Sequence, residues 1–169
     1  QYYFPEIGAA ANRWTEYSEL MAEMGHDVTV ICGKPNYPTG KFYDGYENKK
    51  YEIKAKYNLK IIRTWVSMNS RDNNMKRMAY FITFMVSSMI AGIKLSKPDL
   101  LIASSPPLFV GLSGWLLSKY HKAPLISDIR DLWPESAIEL GELDSKVGKM
   151  IGFYMQNIVY NKTLAFITS

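Results

Sequence analysis

The sequence predicts an α/β domain built on a doubly wound, mainly parallel sheet that carries a β-hairpin insertion. Short β-branched runs such as DVTVIC, DLLIA and PLISDI alternate with helical patterns of ten or more residues, the signature of strands covered by helices. Gly, Pro and Asn punctuate the junctions. A chain of 169 residues, 47% hydrophobic and 21% charged, is long enough for one ordinary core and hardly for two. That composition excludes a disordered chain, a collagen-like repeat and a low-complexity polymer.

The elements follow in order. Ala10 to Met24 places Trp14, Tyr17, Met21 and Met24 on one helical face, with Gly25 as its stop. Asp27 to Cys32 reads as a short buried strand. The stretch Gly33 to Tyr46, rich in Gly, Pro, Asn and Tyr, is a long irregular loop. Tyr51 to Ala55 and Lys60 to Val66, joined at Tyr57-Asn58-Leu59, form a hairpin leading into a strand. Met75 to Leu95 is a long apolar helix, and Pro98 precedes the strand Asp99 to Ala103. SSPP opens a helix from Pro107 to Tyr120, with Pro suited to the first turn. A strand at Pro124 to Ile129, an acidic loop, a helix from Asp144 to Asn161 and a strand at Leu164 to Thr168 complete the chain. In the last helix Val147, Met150, Ile151, Tyr154 and Ile158 share a face. The first helix begins almost at once and the chain stops as a strand finishes, so residues 1–169 read as one domain of a larger protein whose opening strand is largely missing. An open sheet lacking an interior strand exposes unpaired edges, an invitation to swapping or homodimer formation.

Several function classes fall away. One cysteine excludes a disulfide framework, and Cys32 with His26 and His121 cannot build a structural zinc site, so no metal is expected. Cys32 reads as core, and both histidines as structural or solvent-facing, His121 in an exposed turn. The absence of a signal peptide makes the cytosol the default compartment. Met78 to Ile93 runs 16 residues without a charge, and at ~1.5 Å per residue covers about 24 Å, short of the roughly 30 Å needed to span a bilayer. Ala79, Thr83, Ser87 and Ala91 form a small-residue stripe, and Met78, Ile82, Met85 and Met89 a large one. Such a helix is usually buried; the alternative is partial insertion at a membrane surface. Charge supports the alternative, because Glu47 to Arg63 holds six basic residues against two carboxylates. Asp128 to Asp144 is the reverse, six carboxylates against Arg130.

Ligands of a doubly wound sheet bind beyond the carboxyl ends of its strands. Four segments qualify. Pro5 to Trp14, with Gly8, Ala9, Asn12 and Arg13, is a loop running into a helix N-terminus, suited to an anion or serving as a plain turn. It is not GxGxxG, which argues against a nucleotide-dependent oxidoreductase. Gly33 to Tyr46, with Asn36 and Tyr37, offers stacking surfaces and hydrogen bonds to a carbohydrate, or packs as a surface flap. Ser104 to Pro107, with Ser105, is a strand end or a rigid turn. DIRDLWPES, Asp128 to Ser136, is the most specific. Asp128 or Asp131 suits a base or a partner for sugar hydroxyls, and Arg130 suits a phosphate or an acid; Trp133 and Glu135 complete the segment.

YYFPEIGAAANRWTE, GHDVTVICGKPNYPTGK, IIRTWV, KPDLLIASSPPLFVG and DIRDLWPES together resemble the amino-terminal half of family 4 glycosyltransferases, most closely the bacterial L-fucosamine transferase-like enzymes of O-antigen and capsule synthesis. The resemblance implies a GT-B fold, two Rossmann-like domains facing across a cleft. The half represented here would bind the acceptor; the absent half would hold most of the nucleotide-sugar, with an E-x7-E motif. It implies a retaining, metal-independent transfer in which the nucleotide-sugar is substrate, no cofactor is needed and no nucleic acid takes part. The donor would be UDP-linked and the acceptor a lipid-linked saccharide. The protein would sit in the cytoplasm, peripheral to the anionic inner face of the plasma membrane. Gly8 matches the loop facing the donor phosphate, and Arg130-Asp131 the strand-end pair beside the transferred sugar. Relatives often carry His-Asp there, and Arg favours electrostatic or positioning work over proton transfer. Many relatives also have two glycines where this chain has Gly8-Ala9. On this reading the fragment alone would not transfer sugar, since leaving-group stabilisation would come from the other half. A non-catalytic membrane- or glycan-binding module is the competing reading.

Overall fold

A computed structural model describes residues 1–47, 51–54, 58–67, 74–141 and 143–168, with the backbone alone for 51–54 and 74. The mixed α/β order is as expected, but the hydrogen-bonded strands fall into two three-stranded sheets, and the chain divides into two compact units, Gln1–Ala91 and Gly92–Ser169. Among the described residues no strand joins the two ladders.

The first unit holds α1 (Ala9–Glu23), β1 (Val28–Gly33), β2 (Tyr51–Lys54), β3 (Leu59–Thr64) and all but the last two residues of α2 (Asn74–Ile93). β1 and β3 pair in parallel from Val28↔Leu59 to Gly33↔Thr64, and β2 lies antiparallel on the other edge of β3. The hairpin is therefore present, although Leu59 is already strand rather than turn, and Ala55 and Tyr57 lie outside the described residues. β1 is less enclosed than expected, because Thr29 faces solvent and only Cys32 and Gly33 are buried. Alternation along β3 turns Leu59, Ile61 and Arg63 inward, where the two apolar residues join Tyr3, Ala22 and Cys32 in a core flanked by Trp14, Val28 and Val30.

α2 corrects the expectation of an all-round buried helix. Tyr80, Phe84 and Ser88 form its inner face, while Met75, Met78, Ile82, Val86, Ile90 and Ile93 stand exposed. Two members of the small-residue stripe pack by hydrogen bonding: Thr83 Oγ1 accepts from Ser67 N, and Ser87 Oγ donates to the Trp65 carbonyl. These bonds select the inner face, a choice helical periodicity alone leaves open. No described helix is long and apolar enough to cross a membrane.

The second unit holds β4 (Leu101–Ser105), α3 (Leu108–His121), β5 (Leu125–Ile129), α4 (Glu135–Glu139), α5 (Lys146–Tyr160) and β6 (Ala165–Thr168). Its three strands are parallel in the order β4-β5-β6. Pro107 is the N-cap of α3 rather than its first turn, and α4 is a short helix within the acidic segment expected to be loop. Gly114 lets α3 approach β4: a Cβ there would lie 2.6 Å from that of Ala103. Ser145 caps α5, its Oγ accepting from Gly148 N at 3.0 Å. The expected apolar face of α5 is largely outward, with Val147, Met150, Ile151 and Tyr154 exposed. Its buried residues are Gly152, Met155 and Val159, the last two packed with Leu108. His121 is half-buried, not exposed, and its ring Nε2 lies 3.0 Å from the Gly92 carbonyl.

Candidate functional site

In the first unit the loop before α1 builds an open helix end. Gly8 is the N-cap with an extended backbone, no side chain caps the helix and its first turn carries no acid. A Cβ at Gly8 would meet nothing within 4 Å. The amino end of α1 thus presents partial positive charge with neither a side-chain cap nor an acid in its first turn. Ala9 and Asn12 are exposed; Arg13 is half-buried with its guanidinium 5.4 Å from the Tyr17 ring centre.

Two residues before Gly8, Glu6 is buried, and sequence reasoning passed over it. Its Oε1 accepts from the backbone N–H groups of Asn36 and Tyr37, both at 2.9 Å, and Oε2 accepts from Tyr3 N at 3.4 Å. Burial pushes its carboxyl above the ordinary range, and those three N–H bonds pull back against the rise. Asn36 is 0% exposed, its Nδ2 donating to the Lys34 carbonyl and the Tyr80 hydroxyl. In this arrangement Asn36 builds the loop from within, whereas Tyr37 is half-buried with its ring edge-on to Tyr2. The signal that could have found Glu6 is the acid inside PEIG, but a charge ahead of a helix reads as solvated until its partners are known.

The basic stretch changes character. Arg63 is 3% exposed, donates from Nη2 to the Phe4 carbonyl at 2.6 Å and lies over the Tyr46 ring, so it belongs to the interior rather than to a basic edge. Lys60 is exposed; Lys49, Lys50 and Lys56 lie outside the described residues.

In the second unit the strand ends gather the other candidates. Ser104 and Asp128 are register partners across β4 and β5, and Ser104 Oγ donates to Asp128 Oδ2 at 2.7 Å. Asp128 is fully buried, a group held by the fold. Arg130 N donates to the Ser105 carbonyl, extending the ladder by one step, and its Nη2 donates to the Pro106 carbonyl at 3.0 Å. That anchor folds the half-buried guanidinium over the SSPP turn, and its Nε is buried without a protein partner. Asp131 is exposed. Ser105 is buried beneath this turn. Trp133 packs beside the Leu108, Met155 and Val159 cluster, and Glu135 accepts from Gln156 Nε2 through both carboxylate oxygens, at 3.1 and 3.0 Å. Among the described residues no group of three or more His, Cys, Asp or Glu is placed to hold a metal ion.

Parallel strands alternating with helices in each unit make the mixed α/β architecture of a Rossmann-like GT-B half. The glycosyl transferase 4-like domain family matches residues 8–156, and the chain belongs to that family. It is also 28% identical over 144 residues to WcaI of Escherichia coli (strain K12), whose name assigns it to glycosyl transfer in colanic acid biosynthesis. The match covers 82% of this chain and 34% of that protein, so the chain spans about a third of the relative's length.

Proposed function

We propose that the protein containing this chain transfers a sugar from a UDP-linked donor to a lipid-linked glycan in bacterial surface polysaccharide synthesis, with retention of configuration. The observation that carries the reading is the open amino end of α1 behind Gly8, in a chain of the glycosyl transferase 4-like family. An uncapped helix end with space for an anion suits the donor diphosphate. Arg130 and Asp131 supply charge and hydroxyl contacts to the transferred sugar; an arginine does not give up its proton, so Arg130 positions and polarises. Asp128, buried on Ser104, holds the strand end beneath them. The nucleotide-sugar is substrate, and no metal or further cofactor takes part.

The acceptor's lipid places the protein at the anionic cytoplasmic face of the membrane. The exposed row Met78, Ile82, Val86 and Ile90 on α2, beside Lys76 and Arg77, has the chemistry for that surface. The same row favours the second reading, a membrane-binding module without catalysis. The test is the full-length protein incubated with a panel of UDP-sugars, with and without a lipid-diphosphate sugar acceptor, read by nucleotide release and product mass. Acceptor-dependent product is expected. Vesicle binding without turnover on any donor would favour the module.

A further inference from the structure

The burial of Glu6 calls for a physical reason. A carboxylate enclosed to 3% exposure is costly to keep charged, and a neutral or apolar side chain would fill the same space at less cost. What the carboxylate achieves is a single acceptor for two consecutive amides, Asn36 N and Tyr37 N, thirty residues away in sequence. Two N–H groups aimed at one oxygen fix the orientation of both peptide planes.

The loop beyond them is built on that fixed point. The Asn36 carbonyl accepts from Gly40 N at 2.7 Å, and the Tyr37 carbonyl accepts from the Tyr43 hydroxyl at 2.7 Å. Tyr43 N returns to the Pro35 carbonyl. On the other side, Glu6 Oε2 takes Tyr3 N, and Gly8 follows two residues later as the cap of α1. One side chain therefore ties the loop that ends at Gly8 to the loop that carries Tyr37.

We infer that Glu6 is a positioning residue that holds the Gly8 helix end and the Tyr37 loop as one rigid substrate platform. The substrate names rest on the transferase reading above; the mechanical coupling does not. The hydrogen bonds of Glu6 go to backbone N–H groups, so it acts through the two loops rather than on the reacting atoms.

The experiment compares the full-length protein with Glu6→Ala, Glu6→Asp and Glu6→Gln. The readouts are amide hydrogen exchange over residues 5–12 and 34–46, and KM and kcat for donor and acceptor separately. In Glu6→Ala, protection at the Asn36 and Tyr37 amides is lost and exchange rises in residues 5–12 as well. Donor and acceptor KM both rise, by about tenfold or more, since a misplacement of about 1 Å can cost a hundredfold. Glu6→Asp, one methylene short of the amides, follows it. Glu6→Gln keeps an oxygen for the Asn36 and Tyr37 amides but turns an NH2 toward Tyr3 N, so protection returns at residues 34–46 while exchange over residues 5–12 stays raised. If Glu6→Ala does not fold, the contrast between Glu6→Asp and Glu6→Gln decides. A lowered melting midpoint with both KM values unchanged, or exchange confined to one loop, overturns the inference and leaves Glu6 a stabilising residue only. Coupled exchange in a wild-type protein that transfers no sugar would uphold the platform while refuting the transferase reading.

Discussion

Ser104 and Asp128 stand opposite one another across β4 and β5, joined by a 2.7 Å bond from the serine hydroxyl to a carboxylate that solvent does not reach. Inside a protein a lost donor is not replaced by water. The pair therefore fixes the aim of the β5 end, from which Arg130 and Asp131 emerge.

Ser104→Ala removes that donor and should destabilise the full-length protein by about 1–3 kcal/mol. Asp128→Asn keeps the shape and an oxygen to accept, so its cost should be smaller. Urea unfolding of the two variants checks the order, and an Asp128→Asn cost equal to or above that of Ser104→Ala would overturn it.

Gly114→Ala and Gly8→Ala should separate stability from function. The first drives a Cβ to 2.6 Å from that of Ala103, an overpacking that costs about 1–3 kcal/mol. The second meets no protein atom and keeps an extended backbone that any residue adopts, so its loss of stability should stay near or below about 1 kcal/mol, the ordinary cost of alanine at an N-cap. Donor KM should nonetheless rise in Gly8→Ala, because the new methyl occupies the open helix end. An unchanged donor KM would move the phosphate away from Gly8.

Stability should depend on pH through Glu6. Burial raises its folded-state carboxyl above the ordinary value of 4.5, so the folded protein keeps a proton that the unfolded chain has released between those two values. The contribution is complete below the unfolded value and is lost as pH rises through the folded one. Wild type should therefore lose stability relative to Glu6→Gln as pH climbs from the ordinary carboxyl value of 4.5 through the raised folded-state one. Parallel melting curves across that range would show that the carboxyl titrates as an exposed one.

Arg130→Ala and Asp131→Asn should each lower sugar transfer by about a hundredfold or more, the scale of removing one group that stabilises developing charge. Arg130→Lys should recover only part, since an ammonium lacks the planar fork that holds the Pro106 carbonyl while presenting further donors. Transfer that survives all three changes would make the segment scaffold.

Ile82→Glu with Val86→Glu should weaken binding to vesicles containing anionic lipid while leaving the melting midpoint within a degree or two, because both side chains are exposed. Sedimentation with vesicles of neutral and anionic composition measures it. Undiminished binding would clear α2 of membrane contact.

Apart from the short α4, which reads as loop, the order of elements was legible along the described chain, because periodicity, caps and Gly-Pro punctuation act over a few residues. Family membership was legible for the same reason, since PEIGAAANRW, PNYP and DIRDLWPES are short contiguous strings. Which face of α2 and α5 turns inward was not. Both helices are apolar on more than one side, and Thr83 and Ser87 on the first, and Gly152, Met155 and Val159 on the second, settle it through neighbours remote in sequence.

By itself, then, the sequence determined the α/β alternation, the hairpin, the glycine ahead of α1 and the acid-arginine strand end. Tertiary structure alone decided that Glu6, Asn36 and Arg63 are interior, that Arg130 is anchored on Pro106 and that Asp128 is paired with Ser104. The physical reason is range. A helix or strand is specified by residues a turn apart, whereas the burial of a polar group depends on a partner such as Tyr37 for Glu6 or Phe4 for Arg63, which only the folded chain brings within reach.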